Sequence, residues 1–284
     1  ISSINLFGKK ITCSGENKGP VGRIPQKQFE GFLKDVNQVL GDGEEFSQIK
    51  KLINKAFDSG ENLSQITRVF VRELFKEDGL LILDPDSREL KELFALVAEK
   101  ELFEKTTYKS SENHLNRLKS EYKLQVKPRE INLFYIENGI RKRFVKTDGG
   151  FATSDRSNFW TPSEIKELIV SSPEKISPNV LLRTVYQELL LPNLAYVGGA
   201  SEIAYWLELK PVFNAFKINF PLPLVRNTYF VLSEKNTQWL DKNKISFHTL
   251  FNNIDIQVNE LTKSLSSNLL SFQEDFEFLK EFYL

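Results

Sequence analysis

The sequence predicts an α/β protein, and three observations carry that expectation. Amphipathic stripes at helical spacing recur through the first 125 residues. An Asn-Gly pair joins two strand-like runs near residue 138. A strand, a Gly-Gly turn and a helix follow one another between 194 and 216. Composition permits a core of this kind: of 284 residues, 40% are hydrophobic and 27% are charged, close to globular usage and away from the disordered range. The 38 Lys and Arg balance the 38 Asp and Glu, which argues against a general polyanion binder, so no nucleic-acid partner is expected. A lone Cys13 with only His114 and His248 cannot build an internal disulfide or a structural zinc centre, so no metal site is expected. No apolar run reaches the ~18–20 residues that span a bilayer. A soluble cytoplasmic protein without membrane partners is the expectation. The chain opens at Ile1 and not at an initiator methionine, so an internal portion of a longer polypeptide is also expected; the absence of internal methionine does not follow from that alone.

In order along the chain, Ile4-Asn5-Leu6-Phe7 reads as the tail of a strand and 19–23 as turn chemistry. Phe29, Phe32, Leu33 and Val36 predict a helix stopped by Gly41 and Gly43. Phe46, Ile49, Leu52, Ile53 and Phe57 predict a second helix. Asn62 with Gln65 three residues on resembles a capping box that opens a third, through Phe70, Leu74 and Phe75. Leu80-Leu81-Ile82-Leu83 reads as a short buried strand stopped by Asp84-Pro85-Asp86. A helix is expected from about 89 to 103, with a break in the polar stretch around 109–113. The Asn138-Gly139 hairpin comes next. Thr161-Pro162-Ser163-Glu164 is a strong helix start: Thr caps, Pro takes the first helical position and Glu closes the box. Another helix begins after Ser177-Pro178 and ends before Pro192. The strand at 194–197 leads through Gly198-Gly199 into a helix over 201–216, and a further strand is expected over 222–232. From about 245, the spacing of Phe247, Leu250, Ile254, Val258, Leu261, Leu265, Leu269 and Phe276 predicts one long helix of the bundle or coiled-coil kind.

Chemistry concentrates in 177–210. A strand, a Gly-Gly turn and a helix aim backbone N–H groups at an anion, so Gly198, Gly199 and the amides after them could hold a phosphate or carboxylate; a tight turn capped by Ser201 explains the same residues. Arg183 and Gln187 lie four apart on one helix face, where an arginine fork suits carboxylate or phosphate and a solvated polar face is the plain alternative. Glu202 suits the first turn of a helix on dipole grounds alone, and Tyr205 and Trp206 are typical core residues. Arg226-Asn227 interrupts an apolar run, at an edge or in a site. There is no nucleophile elbow, Walker A loop or G-x-G-x-x-G motif.

The segment SPNVLLRTVYQELLLPNLAYVGGASEIAYWLELK, at 177–210, resembles the signature of the cysteine-adding enzyme family of bacillithiol biosynthesis, BshC. The likeness extends through Lys18-Gly19-Pro20-Val21-Gly22-Arg23-Ile24, Leu81-Ile82-Leu83-Asp84-Pro85-Asp86, Arg129-Glu130-Ile131-Asn132-Leu133-Phe134-Tyr135 and Leu224-Val225-Arg226-Asn227. Separate blocks in the right order make it specific. The resemblance implies a Rossmann-like core akin to class I aminoacyl-tRNA synthetases, helical connecting insertions and a C-terminal coiled coil that supports a homodimer. On that basis 1–23 is the remnant of a first Rossmann half, 24–130 a mainly helical insertion, 131–232 the second part of the core with its hairpin, and 233–284 the start of the coiled coil. It implies a ligase that joins L-cysteine to glucosaminyl-malate through an amide bond, with ATP or ADP as the expected nucleotide. Ser177, Asn179, Arg183, Gln187, Gly198, Gly199, Glu202, Arg226 and Asn227 match the family pattern as candidates for binding substrate or nucleotide, with catalytic residues unassigned. A non-catalytic scaffold or nucleotide-binding module of the same architecture is the competing expectation, told apart by whether a crevice lined by Arg183 and Arg226 forms beside Gly198.

Overall fold

The computed structural model describes residues 3–13, 19–265, 278 and 280. The chain divides into two compact units, Ile1–Arg226 and Asn227–Leu284. In the first unit, β1 (Ser3–Leu6) and β2 (Lys9–Thr12) precede α1 (Glu30–Leu40), α2 (Ser47–Ser59) and α3 (Leu63–Leu74). Next come α4 (Arg88–Leu93), α5 (Ala95–Glu104) and α6 (Thr106–Leu118). The strands β3 (Leu133–Glu137), β4 (Ile140–Thr147), β5 (Gly150–Thr153) and β6 (Phe159–Trp160) follow, then α7 (Pro162–Ser171), β7 (Ile176–Pro178) and α8 (Val180–Leu190). The unit closes with β8 (Ala195–Gly198), α9 (Ala200–Glu208), α10 (Lys210–Phe216) and β9 (Leu222–Val225). The second unit holds α11 (Glu234–Lys242) and α12 (Ile254–Leu265).

The central sheet has the order β6-β5-β4-β3-β7 and is antiparallel throughout. Its β3–β4 turn is the predicted Asn138-Gly139, with φ of 51° and 71°, the two left-handed positions a tight hairpin requires. Among the described residues parallel pairing is confined to β8 and β9, with Gly198 opposite Val225. Helices α5, α7 and α8 pack on the central sheet, α9 packs on the β8–β9 pair and α10 on α8 and α9, and one core of Phe94, Leu102, Phe144, Ile165, Leu182 and Trp206 binds these elements. Tyr196 of β8 stacks on Trp206 of α9 with centroids 3.9 Å apart, which ties the parallel pair to that core. A smaller cluster of Ile11, Val36 and Leu40 joins the first hairpin to α1.

The start of α7 forms as its sequence dictates. Thr161 accepts from the Glu164 N–H, and Glu164 accepts from the Thr161 N–H at 2.8 Å. That bond, seconded by the Thr161 hydroxyl, holds the Glu164 carboxyl below its ordinary value of 4.5. A depressed carboxyl stabilises the fold above its unfolded value, and the contribution fades as pH falls through the folded one. Thr161→Ala should cost about 1 kcal/mol in urea denaturation at neutral pH, and less at pH 3.

Elsewhere the structure departs from the expected elements. Residues 80–83 form no strand: no neighbour offers a ladder, and Leu81 is 93% exposed. The break expected around 109–113 is absent. There α6 runs through without interruption, and the hydroxyls of Ser110 and Ser111 are taken up by the carbonyls of Thr106 and Thr107 at 2.7 Å, one turn back. The actual break is Lys105, left-handed at φ 58°. Residues 3–6 are one arm of a hairpin, and the expected strand residue Phe7 instead makes its turn with Gly8, at φ 50° and 80°. The helix expected over 201–216 divides at Leu209, where Pro211 suits the first turn of a new helix. The strand expected over 222–232 ends at Val225, and 226–232 lack regular structure. The long C-terminal helix is interrupted by a 3₁₀ turn at Phe247–Phe251, and Asn253 then accepts from the Asp255 N–H to start α12. Leu269, Phe276 and the side chain of Leu265 lie outside the described residues.

Candidate functional site

The turn at 20–23, the start of α3, the Asp84-Pro85-Asp86 turn, β4, β7 and α8 meet around a cleft of about 400 Å³. Asp84 shapes one wall by accepting from the Ser64 hydroxyl at 2.6 Å and from the Asp86 N–H at 3.1 Å. Arg23 grips Asp86 with two N–H groups, Nε–Oδ2 at 2.5 Å and Nη2–Oδ1 at 3.0 Å, and donates to the Glu174 carbonyl at 2.8 Å. The Asp86 bond holds the Arg23 guanidinium above its ordinary pKa. Lys91 is only 5% exposed; its Nζ donates to the Ile176 carbonyl at 3.0 Å and lies 3.6 Å from Asp86. Burial pulls the Lys91 ammonium below its ordinary value, against the pull of Asp86. The Tyr186 hydroxyl donates to the Pro85 carbonyl at 2.7 Å, and burial raises its pKa. Arg141 on β4 donates from Nε to the Ser177 hydroxyl at 3.2 Å and from Nη2 to the Pro178 carbonyl at 2.6 Å. Arg23, Lys91, Arg141 and Arg183 face Asp84 and Asp86, a surplus of two positive charges in the cleft.

The structure distributes the sequence-derived candidates between this cleft and the ends of the parallel strands. Ser177 and Arg183 line the cleft. Arg183 is exposed and donates from Nη2 to the Tyr205 hydroxyl at 3.1 Å. Asn179 caps α8, accepting from the N–H groups of Leu181 and Leu182 at 2.9 and 3.1 Å, and donates to Asn132 at 2.9 Å, so its polar atoms are engaged in holding the helix start. Gln187 donates to Glu188 at 3.2 Å. Gly198, Gly199, Glu202 and Arg226 gather at the carboxyl ends of β8 and β9, where the Arg226 N–H donates to the Gly198 carbonyl at 2.8 Å. The helix cap there is Gly199 and not Ser201. Its N–H donates to Glu202 at 2.9 Å, so a carboxylate of the chain already occupies one donor of the turn. The Arg226 guanidinium lies beside Gly199, 3.4 Å from where a Cβ would stand. Asn227 is exposed and opens the second unit.

Gly198 permits a close approach of its own. A Cβ there would meet the Tyr196 ring at 2.6 Å and Ile203 at 3.2 Å. That ring is held in its stack on Trp206, so Gly198→Ala should cost about 1–3 kcal/mol in thermal or urea unfolding.

Arg23, Asp84, Asp86, Lys91 and Arg141 were not among the sequence-derived candidates. For Arg23 and the Asp-Pro-Asp turn the signal lay in two of the blocks that carry the family likeness. For Lys91 and Arg141, on a helix and a hairpin strand, local sequence offers no sign. Among the described residues no group of three or more His, Cys, Asp or Glu side chains could hold a metal ion, and no helix is long and apolar enough to cross a membrane.

Residues 1–227 match the family described as bacillithiol biosynthesis BshC, N-terminal Rossmann-like domain. A curated relative from Flavobacterium johnsoniae, named "Putative cysteine ligase BshC", is 38% identical over 280 residues, covering 99% of this chain and 53% of that protein. Proteins of the same name from Christiangramia forsetii and Staphylococcus haemolyticus are 34% and 28% identical, over 99% and 88% of this chain and 53% and 48% of their own lengths. The chain spans about half the length of the curated relatives it matches.

Proposed function

The chain belongs to the BshC family of bacillithiol biosynthesis, and from that premise we propose that it serves a cysteine ligase, one that condenses the carboxyl group of L-cysteine with the amine of glucosaminyl-malate. The observation that supports this reading best is the cleft, whose two surplus positive charges suit small acidic substrates. Amide formation in water needs an activated carboxyl, and a nucleotide such as ATP supplies that activation when bound. Arg226, beside Gly199, is the residue suited to its phosphates. Glu202 already satisfies the Gly199 N–H, so Arg226 is the main attraction for phosphate at that turn. Arg183 lines the cleft from α8 and holds an acidic group of the substrate, while Ser177 orients Arg141. Asn179 and Gln187 position α8. Catalysis of this kind rests on placement and charge stabilisation.

The same proposal keeps the four-part division at 23, 130 and 232, with a synthetase-like Rossmann core, a coiled coil beginning at 233, a homodimer and a cytoplasmic setting. The test is a ligation assay on the full-length polypeptide that contains this chain, with mass detection of the cysteinyl product. Product formed only with cysteine, glucosaminyl-malate and a nucleoside triphosphate together is the expected result. Absence of product, with no thermal stabilisation by any of the three, would overturn it.

A further inference from the structure

Of the cleft's cations, Arg141 stands apart. Arg23 is paired with Asp86, Lys91 lies near the same carboxylate, and Arg183 is exposed to solvent. Arg141 is half-buried with no carboxylate partner among the described residues, and its burial alone lowers its pKa. A guanidinium partly withdrawn from water and without a carboxylate partner keeps an attraction for an incoming anion. The side chain is nevertheless held in place. Its guanidinium lies 3.9 Å over the Phe134 ring, Nε donates to Ser177, and one N–H of Nη2 donates to Pro178. An arginine has five N–H donors. Those two bonds leave Nη1 and the second N–H of Nη2 for a ligand, on a residue that lines the cleft.

We propose that Arg141 is the principal anion-binding residue of the cleft and that the ligand it takes is a small dicarboxylate. One carboxylate sits on the open edge of the Arg141 guanidinium, and the second lies toward Lys91 and Arg183, which matches the surplus of two positive charges. This rests on the ligase reading and deepens it, because it assigns the cleft to the malyl end of the amine substrate and leaves the nucleotide to the strand ends.

The experiment is calorimetric titration of the full-length protein with malate, with lactate and inorganic phosphate as comparisons. Malate should bind, lactate should bind at least about tenfold more weakly for want of the second carboxylate, and Arg141→Gln should weaken malate about 10- to 100-fold. A second measurement on the unaltered protein guards against a variant that fails to fold: malate should slow phenylglyoxal modification at Arg141, read by peptide mass. Unchanged malate affinity in Arg141→Gln, no protection of Arg141, or phosphate binding more tightly than malate would each overturn the assignment. The two proposals fail separately. Ligation with an unchanged KM for glucosaminyl-malate in Arg141→Gln removes this inference alone, whereas Arg141-dependent malate binding without any ligation removes the ligase reading alone.

Discussion

Glu101→Ala should remove at least about 3 kcal/mol from the stability of the first unit, since each buried donor left without an acceptor costs about 1–3 kcal/mol. Glu101 is 0% exposed. One oxygen accepts from the Thr107 N–H and hydroxyl at 2.9 and 2.7 Å, the other from the Asn132 N–H and side-chain amide at 3.0 and 2.7 Å. No cation takes part in these bonds; the carboxylate is held by neutral donors, of which the Asn132 side chain also donates to the Arg129 carbonyl. The effect reaches the candidate site. Asn132 accepts from both the backbone N–H and the side chain of Asn179, which caps the helix carrying Arg183. Denaturant unfolding should show the loss in the midpoint without a change of slope. Glu101→Gln keeps one acceptor oxygen but turns an amide N–H toward a donor, so it should fall between Ala and the native residue. A loss under about 1 kcal/mol for alanine would mean that water reaches these donors.

Arg183→Ala should lower ligation by about 10- to 100-fold, the worth of one charge-assisted hydrogen bond to substrate. Its stability should stay within about 0.5 kcal/mol of the native protein, as for other exposed positions. Arg183 offers the cleft a charge from an exposed position and donates to the Tyr205 hydroxyl. Arg183→Lys keeps the charge and loses the fork, so partial activity is expected. Steady-state kinetics on the full-length protein separate the outcomes: a raised KM places Arg183 in substrate binding, and a lowered kcat at fixed KM places it at the reacting groups. Native kinetics in both variants would exclude Arg183 from the site.

Signals confined to a few consecutive residues were legible in the sequence. The Thr161-Glu164 box, the Asn138-Gly139 hairpin and the strand, Gly-Gly and helix of 195–208 each depend on local geometry, and each is present. Residues 80–83 misled because an apolar run marks burial only if a partner surface exists, and there Leu81 faces solvent. The polar stretch in α6 misled for the converse reason, since serine hydroxyls can bond back to their own helix. The candidate site was half legible. Ser177 and Arg183 lie within one recognisable segment. Arg141 comes from the middle of a hairpin strand and Lys91 from a different helix, and only folding brings them together.

The cleft therefore has no local existence. Its walls come from positions as far apart as Pro20 and Tyr186, and its six charges come from four separate stretches of the chain. An occupant would act as a keystone: by bridging walls of separate origin, it would raise the free energy needed to open any one of them. Amide-exchange protection on binding would then spread through the whole first unit, and a proteolytic piece of that unit would bind nothing.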